Sequence, residues 1–473
     1  MTAVLTRPAA PARTTRPGAI LAVLLLAQFM AILDVSIVNV AVPTIRADLH
    51  TSGAGLQLIV AGYTISYAVL LITGARLGDR LGHGRVFRAG LALFTLASLA
   101  CGLAPGAGAL IAFRFVQGVG AAAMMPQVMS LIQRTFTGAA RARALSLYSA
   151  VIASGAVVGQ VLGGVLVSLD AAGTGWRPVF LVNVPVGLVL LRLAPSRLPA
   201  DRGESGRRMD PAGVVTLSVA VLLLVVPLVL GHEENWPLWG WISLIASGAA
   251  FGAFVLVERH GAARGGSPLV TARLLRTPGL VVAIAVLLLV MIGYAGFLFA
   301  FALHLQSGLG FGAAQAGLMF APMAVGFAAA GLTWQRLPTP WHRRIIPLGM
   351  GASALGYLAL AQCLHGATSG GAGTEVVLGL LGLALGAAFS PIVNVALARV
   401  PMADAADASG VLVTVFQLGQ VIGVASLGTL FLSAITAPGA VSSAHAIVLT
   451  FRVLAGMALA GALAAIALVR QRR

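Results

Sequence analysis

Residues 18–45 read GAILAVLLLAQFMAILDVSIVNVAVPTI, and Asp34 is the one charged residue among them. The stretch shows no strand-like alternation, and it exceeds the roughly 18 apolar residues that mark a membrane-spanning helix. Arg7, Arg13 and Arg16 stand in front of it, which superficially resembles a secretory signal. The apolar run is too long for one and has no small-x-small cleavage site at its end. It therefore reads as the first span of an integral membrane protein.

The same texture recurs along the chain. Hydrophobic residues make up 59% of the 473 and charged residues 9%, against about a quarter charged in a soluble domain. The blocks are long and unalternating, which argues against a β-barrel. Fourteen spans are read, at about 18–45, 55–75, 86–104, 107–132, 143–169, 177–194, 211–231, 237–257, 279–304, 312–334, 344–363, 375–398, 405–434 and 446–469. Several exceed the roughly 20 residues needed to cross hydrocarbon, so tilt is expected.

All thirty basic residues are Arg, and the net charge is +17. They do not form one patch, so a nucleic-acid partner is not expected. With the N-terminus inside, 26 of them fall in inside segments, only Arg46 and Arg177 fall outside, and Arg114 and Arg452 lie within spans. That asymmetry places both termini in the cytoplasm of a bacterial cell membrane. Two polar inside segments, 195–210 and 258–278, bracket a pair of spans. The expected organisation is an N-terminal tail (1–17), a six-helix bundle (18–194), and loops with a two-helix insert at 211–231 and 237–257 (195–278 in all). A second six-helix bundle (279–469) and a short cytoplasmic tail (470–473) follow. Long inside connections suit two bundles that rock against each other. Cys101 and Cys363 sit in apolar blocks and read as small core residues, with no metal or disulfide role.

Asp34 is the single acidic residue placed deep in a span. A carboxylate there either takes up a proton or finds a cation, which makes it the candidate for proton carriage. Gln28 and Asn39 are eleven residues apart, about 20° on a helical wheel, and share a face turned away from Asp34. Tyr63, Ser66 and Tyr67 make a polar face of span 2. Tyr294, Phe297, Phe301 and His304 follow 3-4-3 spacing on span 9, and Gln417 and Gln420 stand three apart on span 13. An aromatic and amide-lined cavity built from these groups suits amphipathic organic molecules. Gly155, Gly159 and Gly163 form a ridge that lets a neighbouring helix approach closely.

Five segments in order carry a resemblance. Leu33-Asp34-Val35-Ser36-Ile37-Val38-Asn39-Val40-Ala41-Val42-Pro43 is similar to L-D-x-T-x-V-N-V-A-L-P. Ala75 to Arg85 is similar to a G-x-L-x-D-R-x-G-R-[RK] loop, with Ala75 at the first Gly and His83-Gly84 at the basic pair. Arg114-Phe115-Val116-Gln117-Gly118-Val119-Gly120-Ala121-Ala122 matches R-x-x-Q-G-x-G-A-A. Gly155-x-x-x-Gly159-Gln160-x-x-Gly163-Gly164 is similar to G-x-x-x-G-P-x-x-G-G, with Gln160 in place of Pro. The fifth is Trp176-Arg177-x-x-Phe180-x-x-Asn183-x-Pro185-x-Gly187. Together they resemble the major facilitator superfamily and, within it, the fourteen-span drug:proton antiporter group.

The resemblance implies an all-α fold of two six-helix bundles plus two inserted central helices, and a role for Arg114 in proton coupling. Asp34 and Arg114 lie roughly 16 Å and 10 Å from the outer ends of their spans, at 1.5 Å per residue. Asp79, with Arg76, Arg80 and Arg85, is expected in the inside loop, where it caps a helix start and latches the inward mouth. The function expected is proton-driven export of an amphipathic organic compound by a monomer that needs no cofactor. Its partners would be a small-molecule substrate, protons and the lipid bilayer. An importer or uniporter on the same fold is the alternative. A polytopic enzyme would need clustered carboxylates or His, and an ATP-driven pump a P-loop; neither pattern is present in the sequence.

Overall fold

The computed structural model describes residues 17–51, 53–169, 174–198, 203, 211–231, 234, 236–263, 277, 279–338, 341–365, 371–398, 400, 405–437 and 439–470. The described residues form helices and short connections. The first six are α1 (Pro17–Leu49), α2 (Gly53–Leu81), α3 (His83–Gly102), α4 (Ala107–Thr135), α5 (Gly138–Leu169) and α6 (Pro178–Arg197). Then come α7 (Pro211–Leu230) and α8 (Leu238–Ala263). The last six are α9 (Leu280–Leu303), α10 (Ala313–Met319 and Ala321–Thr333), α11 (Ile345–Cys363), α12 (Gly371–Ala398), α13 (Ala405–Ser433) and α14 (Ala440–Arg470). Thirteen of these helices are long and apolar enough to cross a membrane. In hydrocarbon every backbone N–H and C=O must be bonded within its own segment, which is why such blocks form helices.

One boundary corrects the sequence reading. The segment expected as a loop after span 2 is the end of α2, which runs on to Leu81 and turns into α3 through Gly82 alone. Gly82 has φ 98°, a left-handed conformation that a residue without Cβ adopts freely. Polar residues extend a helix beyond the bilayer at no cost to its hydrogen bonding, and Arg80 in the last turn favours the helix dipole. Asp79 is therefore in the final turns of α2 rather than in a loop.

Breaks elsewhere have local causes. α10 is interrupted at Phe320, just before Pro322, whose ring and missing N–H cannot continue the preceding turn. α9 widens into a π turn over His304–Gly308.

The packing repeats. α1 lies on α5 and α6, α2 and α3 lie on α4, and α3 lies on α6; α9 lies on α13 and α14, α10 and α11 on α12, and α11 on α14. The second group thus reuses the first group's pairing, offset by eight helices. The groups meet along two seams, α5 against α10 and α2 against α13. α7 packs on α2 and α13, and α8 packs on α7. Only 11% of the α8 span is buried, so this hairpin sits at the periphery.

Candidate functional site

The first group of helices encloses a buried polar network centred on Asp34 and Arg114. Arg114 Nη1 of α4 donates to Asp34 Oδ2 of α1 at 2.6 Å and to Gln117 Oε1 at 2.8 Å. Gln117 Nε2 and Asn183 Nδ2 both donate to Asp34 Oδ1, at 2.8 and 2.7 Å. Arg114 Nε reaches the Ile59 carbonyl of α2 at 3.0 Å. Asn183 also donates to Ser98 Oγ at 3.1 Å, and Ser98 in turn donates to the Phe180 carbonyl at 2.9 Å. The Arg114 guanidinium lies 4.7 Å from the Tyr63 ring centroid and 5.7 Å from that of Phe180. Asp34, Arg114, Gln117, Asn183 and Ser98 are all fully buried.

Local sequence explains why these side chains meet. Arg114 and Gln117 are three apart on α4, so they share a face and address the same carboxylate. Gly118 follows, and a Cβ there would strike Ser66 Oγ and the Tyr63 carbonyl. Its absence lets α2 press against α4, and Ser66 Oγ bonds the Phe115 carbonyl at 2.9 Å across that contact. Gly155 and Gly159 of α5 rest on α1: a Cβ on Gly159 would stand 2.7 Å from Ser36 Cβ and 3.0 Å from the Leu33 carbonyl. The glycine ridge thus docks on the turn that carries Asp34. Gly163 and Gly164 are buried further along α5. The side chains of Asn39 and Gln160 lie outside the described residues.

At the arginine-rich end, Asp79 Oδ2 is 3.7 Å from Arg76 and Asp79 Oδ1 is 3.6 Å from His83. Arg80 and Arg85 are exposed. His83, which stands at the basic pair of the loop motif, is buried instead. Its Nδ1 is 2.7 Å from Gln127 Oε1, and Gln127 Nε2 donates to the Gly74 carbonyl at 2.7 Å. This position serves contact between α3, α4 and the end of α2.

The residues expected to line one cavity meet different immediate neighbours. Tyr63 belongs to the Arg114 cluster, with Tyr67 beside it at 5.8 Å between ring centroids. Gln28 is buried on α1, its Oε1 without a hydrogen-bond partner among the described residues. Tyr294 packs on Phe327 of α10. Phe301 is enclosed by Phe297, Phe320 and Phe451, and His304 Nδ1 is 2.8 Å from Ser443 Oγ of α14. Gln417 and Gln420 are half-buried on α13. Wheel angles give direction within one helix and not the identity of the neighbour, so Phe301 and His304 turn into the second bundle rather than toward Tyr63.

Sequence reasoning did not single out Asn183 and Ser98 as site residues. Asn183 stands in the Trp176–Gly187 motif, which was the available signal; Ser98 carried none.

Residues 24–424 match the Major Facilitator Superfamily. The chain belongs to that superfamily. It is 39% identical over 427 residues to the "Probable actinorhodin transporter" of Streptomyces coelicolor, covering 89% of this chain and 74% of that relative. It is 37% identical to the "Cephamycin export protein CmcT" of Amycolatopsis lactamdurans, covering 85% and 82%. It is 32% identical to the "Tetracenomycin C resistance and export protein" of Streptomyces glaucescens, covering 88% and 76%. The solved structure of the proton:xylose symporter XylE shares the fold, with a TM-score of 0.65 at 14% identity over 96% of this chain and 95% of that one. The chain is thus a Major Facilitator Superfamily transporter and an integral multi-pass membrane protein, and relatives of it are named as antibiotic or drug exporters.

Proposed function

We propose that this superfamily member exports an amphipathic organic compound in exchange for protons, by alternating access between two six-helix bundles. Fourteen helices span the membrane in this reading, α5 among them, and both termini are cytoplasmic. The printed names of the export relatives support the direction and the substrate class. The excess of Arg on one side supports the orientation.

The observation that carries the coupling is the dry Asp34–Arg114 pair. Arg114 and two amide donors occupy both oxygens of the Asp34 carboxylate. When a change of state draws α1 away from α4, the carboxylate loses its cation and becomes the site where a proton is exchanged. Return of Arg114 displaces that proton to whichever side is then open. Each ligand shifts the equilibrium only through its different affinity for the two states, so proton and substrate are coupled through the motion itself.

Purified protein in liposomes, with and without an imposed pH gradient, tests this. Accumulation of an amphipathic probe that depends on the gradient supports the reading. Transport at equal rates with no gradient and no accumulation marks a uniporter and overturns it.

A further inference from the structure

The two seams between the bundles differ in chemistry. Among the described residues the α2–α13 seam holds an apolar cluster: Ala61, Ile65 and Ala68 of α2 join Val421 of α13, with Leu217, Val221 and Val225 of α7 and Phe254 of α8. The α5–α10 seam is polar at one end. Trp334 Nε1 and Gln335 Nε2, in the 3-10 turn just past α10, both donate to Ser146 Oγ near the start of α5, at 3.2 and 3.1 Å. Toward the other end of the same helix pair, Gly317 packs against Val161, where an added Cβ would lie 2.8 Å from Val161 Cγ2. Fifteen residues separate Ser146 from Val161, about 22 Å of helix. Among the described residues, this pair of helices is hydrogen-bonded at the arginine-rich mouth and touches through Gly317 and Val161 toward the opposite one.

The Trp334 bond is buried and the Gln335 bond is part-buried. Ser146 is 1% exposed and Trp334 9%. The His342 ring stands edge-on to the Trp334 indole at 5.1 Å and holds it in place. A hydroxyl that accepts two donors across a bundle interface opposes separation there, and water must enter to satisfy all three groups when they part.

We propose that Ser146, Trp334 and Gln335 form the latch that shuts the arginine-rich mouth and that must open and re-form once in every transport cycle. They are positioning residues and touch no substrate in this scheme. The latch rests on the alternating-access reading above.

Two experiments decide it. In Ser146→Cys with Gln335→Cys, a short bifunctional methanethiosulfonate should cross-link the resting protein in liposomes. Transport should then stop and return on reduction, and the single replacements control for Cys101 and Cys363. Failure to cross-link folded protein, or undiminished transport by cross-linked protein, overturns the latch. If wild type itself does not transport, it is the export reading that falls.

The second uses milder variants and a reporter, Leu147→Cys, labelled from the arginine-rich side by an impermeant thiol reagent. Ser146→Ala, which removes the acceptor of both bonds, should raise the labelling rate by more than the roughly fivefold that one net hydrogen bond provides. Trp334→Phe, which loses one donor, should raise it less. The double variant should match Ser146→Ala, because no acceptor remains to lose. Additive effects of the two changes, or an equal rise in labelling at the opposite mouth, would mean general loosening and overturn the proposal.

Discussion

Asn183 Nδ2 stands 2.7 Å from Asp34 Oδ1, joining α6 to α1 across 149 residues of chain, while Arg114 holds the other oxygen of the same carboxylate. Asp34 is thus a junction of α1, α4 and α6 as well as the candidate proton carrier. A substitution there disturbs packing and titration together. Predictions about coupling therefore need a binding measurement beside the transport measurement.

Asp34→Asn removes the group that titrates and leaves Arg114 facing a neutral amide. Breaking one side of a buried pair costs roughly 3–5 kcal/mol in general; here Gln117 Oε1 and the Ile59 carbonyl continue to accept from Arg114. We expect folded protein that binds substrate and exchanges labelled for unlabelled substrate but no longer accumulates it under a pH gradient. Gradient-driven accumulation equal to wild type would remove Asp34 from the coupling scheme.

Asn183→Ala separates the structural part of the network from the titrating part. It deletes the bonds to Asp34 and Ser98 and keeps both members of the ion pair. A lost hydrogen bond to a charged group is worth about 1.5–3 kcal/mol. Lower thermal stability is expected, with reduced but still gradient-dependent accumulation. An uncoupled transporter would show instead that Asn183 is needed for proton exchange itself.

Gly159→Ala should loosen α1 from α5, because its Cβ meets Ser36 Cβ and the Leu33 carbonyl at sub-contact distance. Overpacking of this kind costs about 1–3 kcal/mol. Gly108→Ala on α4 meets nothing within 4 Å and is the matched control, expected to be neutral. Melting temperatures of the two variants in detergent make the comparison; equal values would refute tight α1–α5 packing at Gly159.

Asp79→Asn alters the charge beside Arg76 and His83 at the arginine-rich end of α2. Slower turnover is expected with substrate affinity changed less than about twofold, since the site lies at the end of the helix rather than beside Asp34. A large loss of affinity at unchanged turnover would place Asp79 in the binding site.

Topology is predicted from Arg placement alone. A cysteine at position 204, on a background free of Cys101 and Cys363, should resist an impermeant thiol reagent in intact cells and react after permeabilisation. Labelling in intact cells would reverse the orientation.

Several features were legible in the residue order because their physics is local. The hydrocarbon requires about 20 apolar residues per span whatever lies beside them. A lone Asp inside such a run is costly in any arrangement, so Asp34 was visible at once, and Arg114 stood out in the same way. The glycines of α5 announced close approach because a missing Cβ is a property of the residue itself. What these groups approach was decided by tertiary structure. Asp34 finds Arg114 80 residues away, Asn183 149 away, and Ser146 meets Gln335 189 away. Tyr63 turned out to lie under a guanidinium, Phe301 to pack inside the second bundle, and the loop carrying Asp79 to be helix. Helical periodicity gives the direction of each side chain about its own axis, but the neighbour it meets is set by how separate helices assemble, and pairing energies in a dry interior depend on that neighbour.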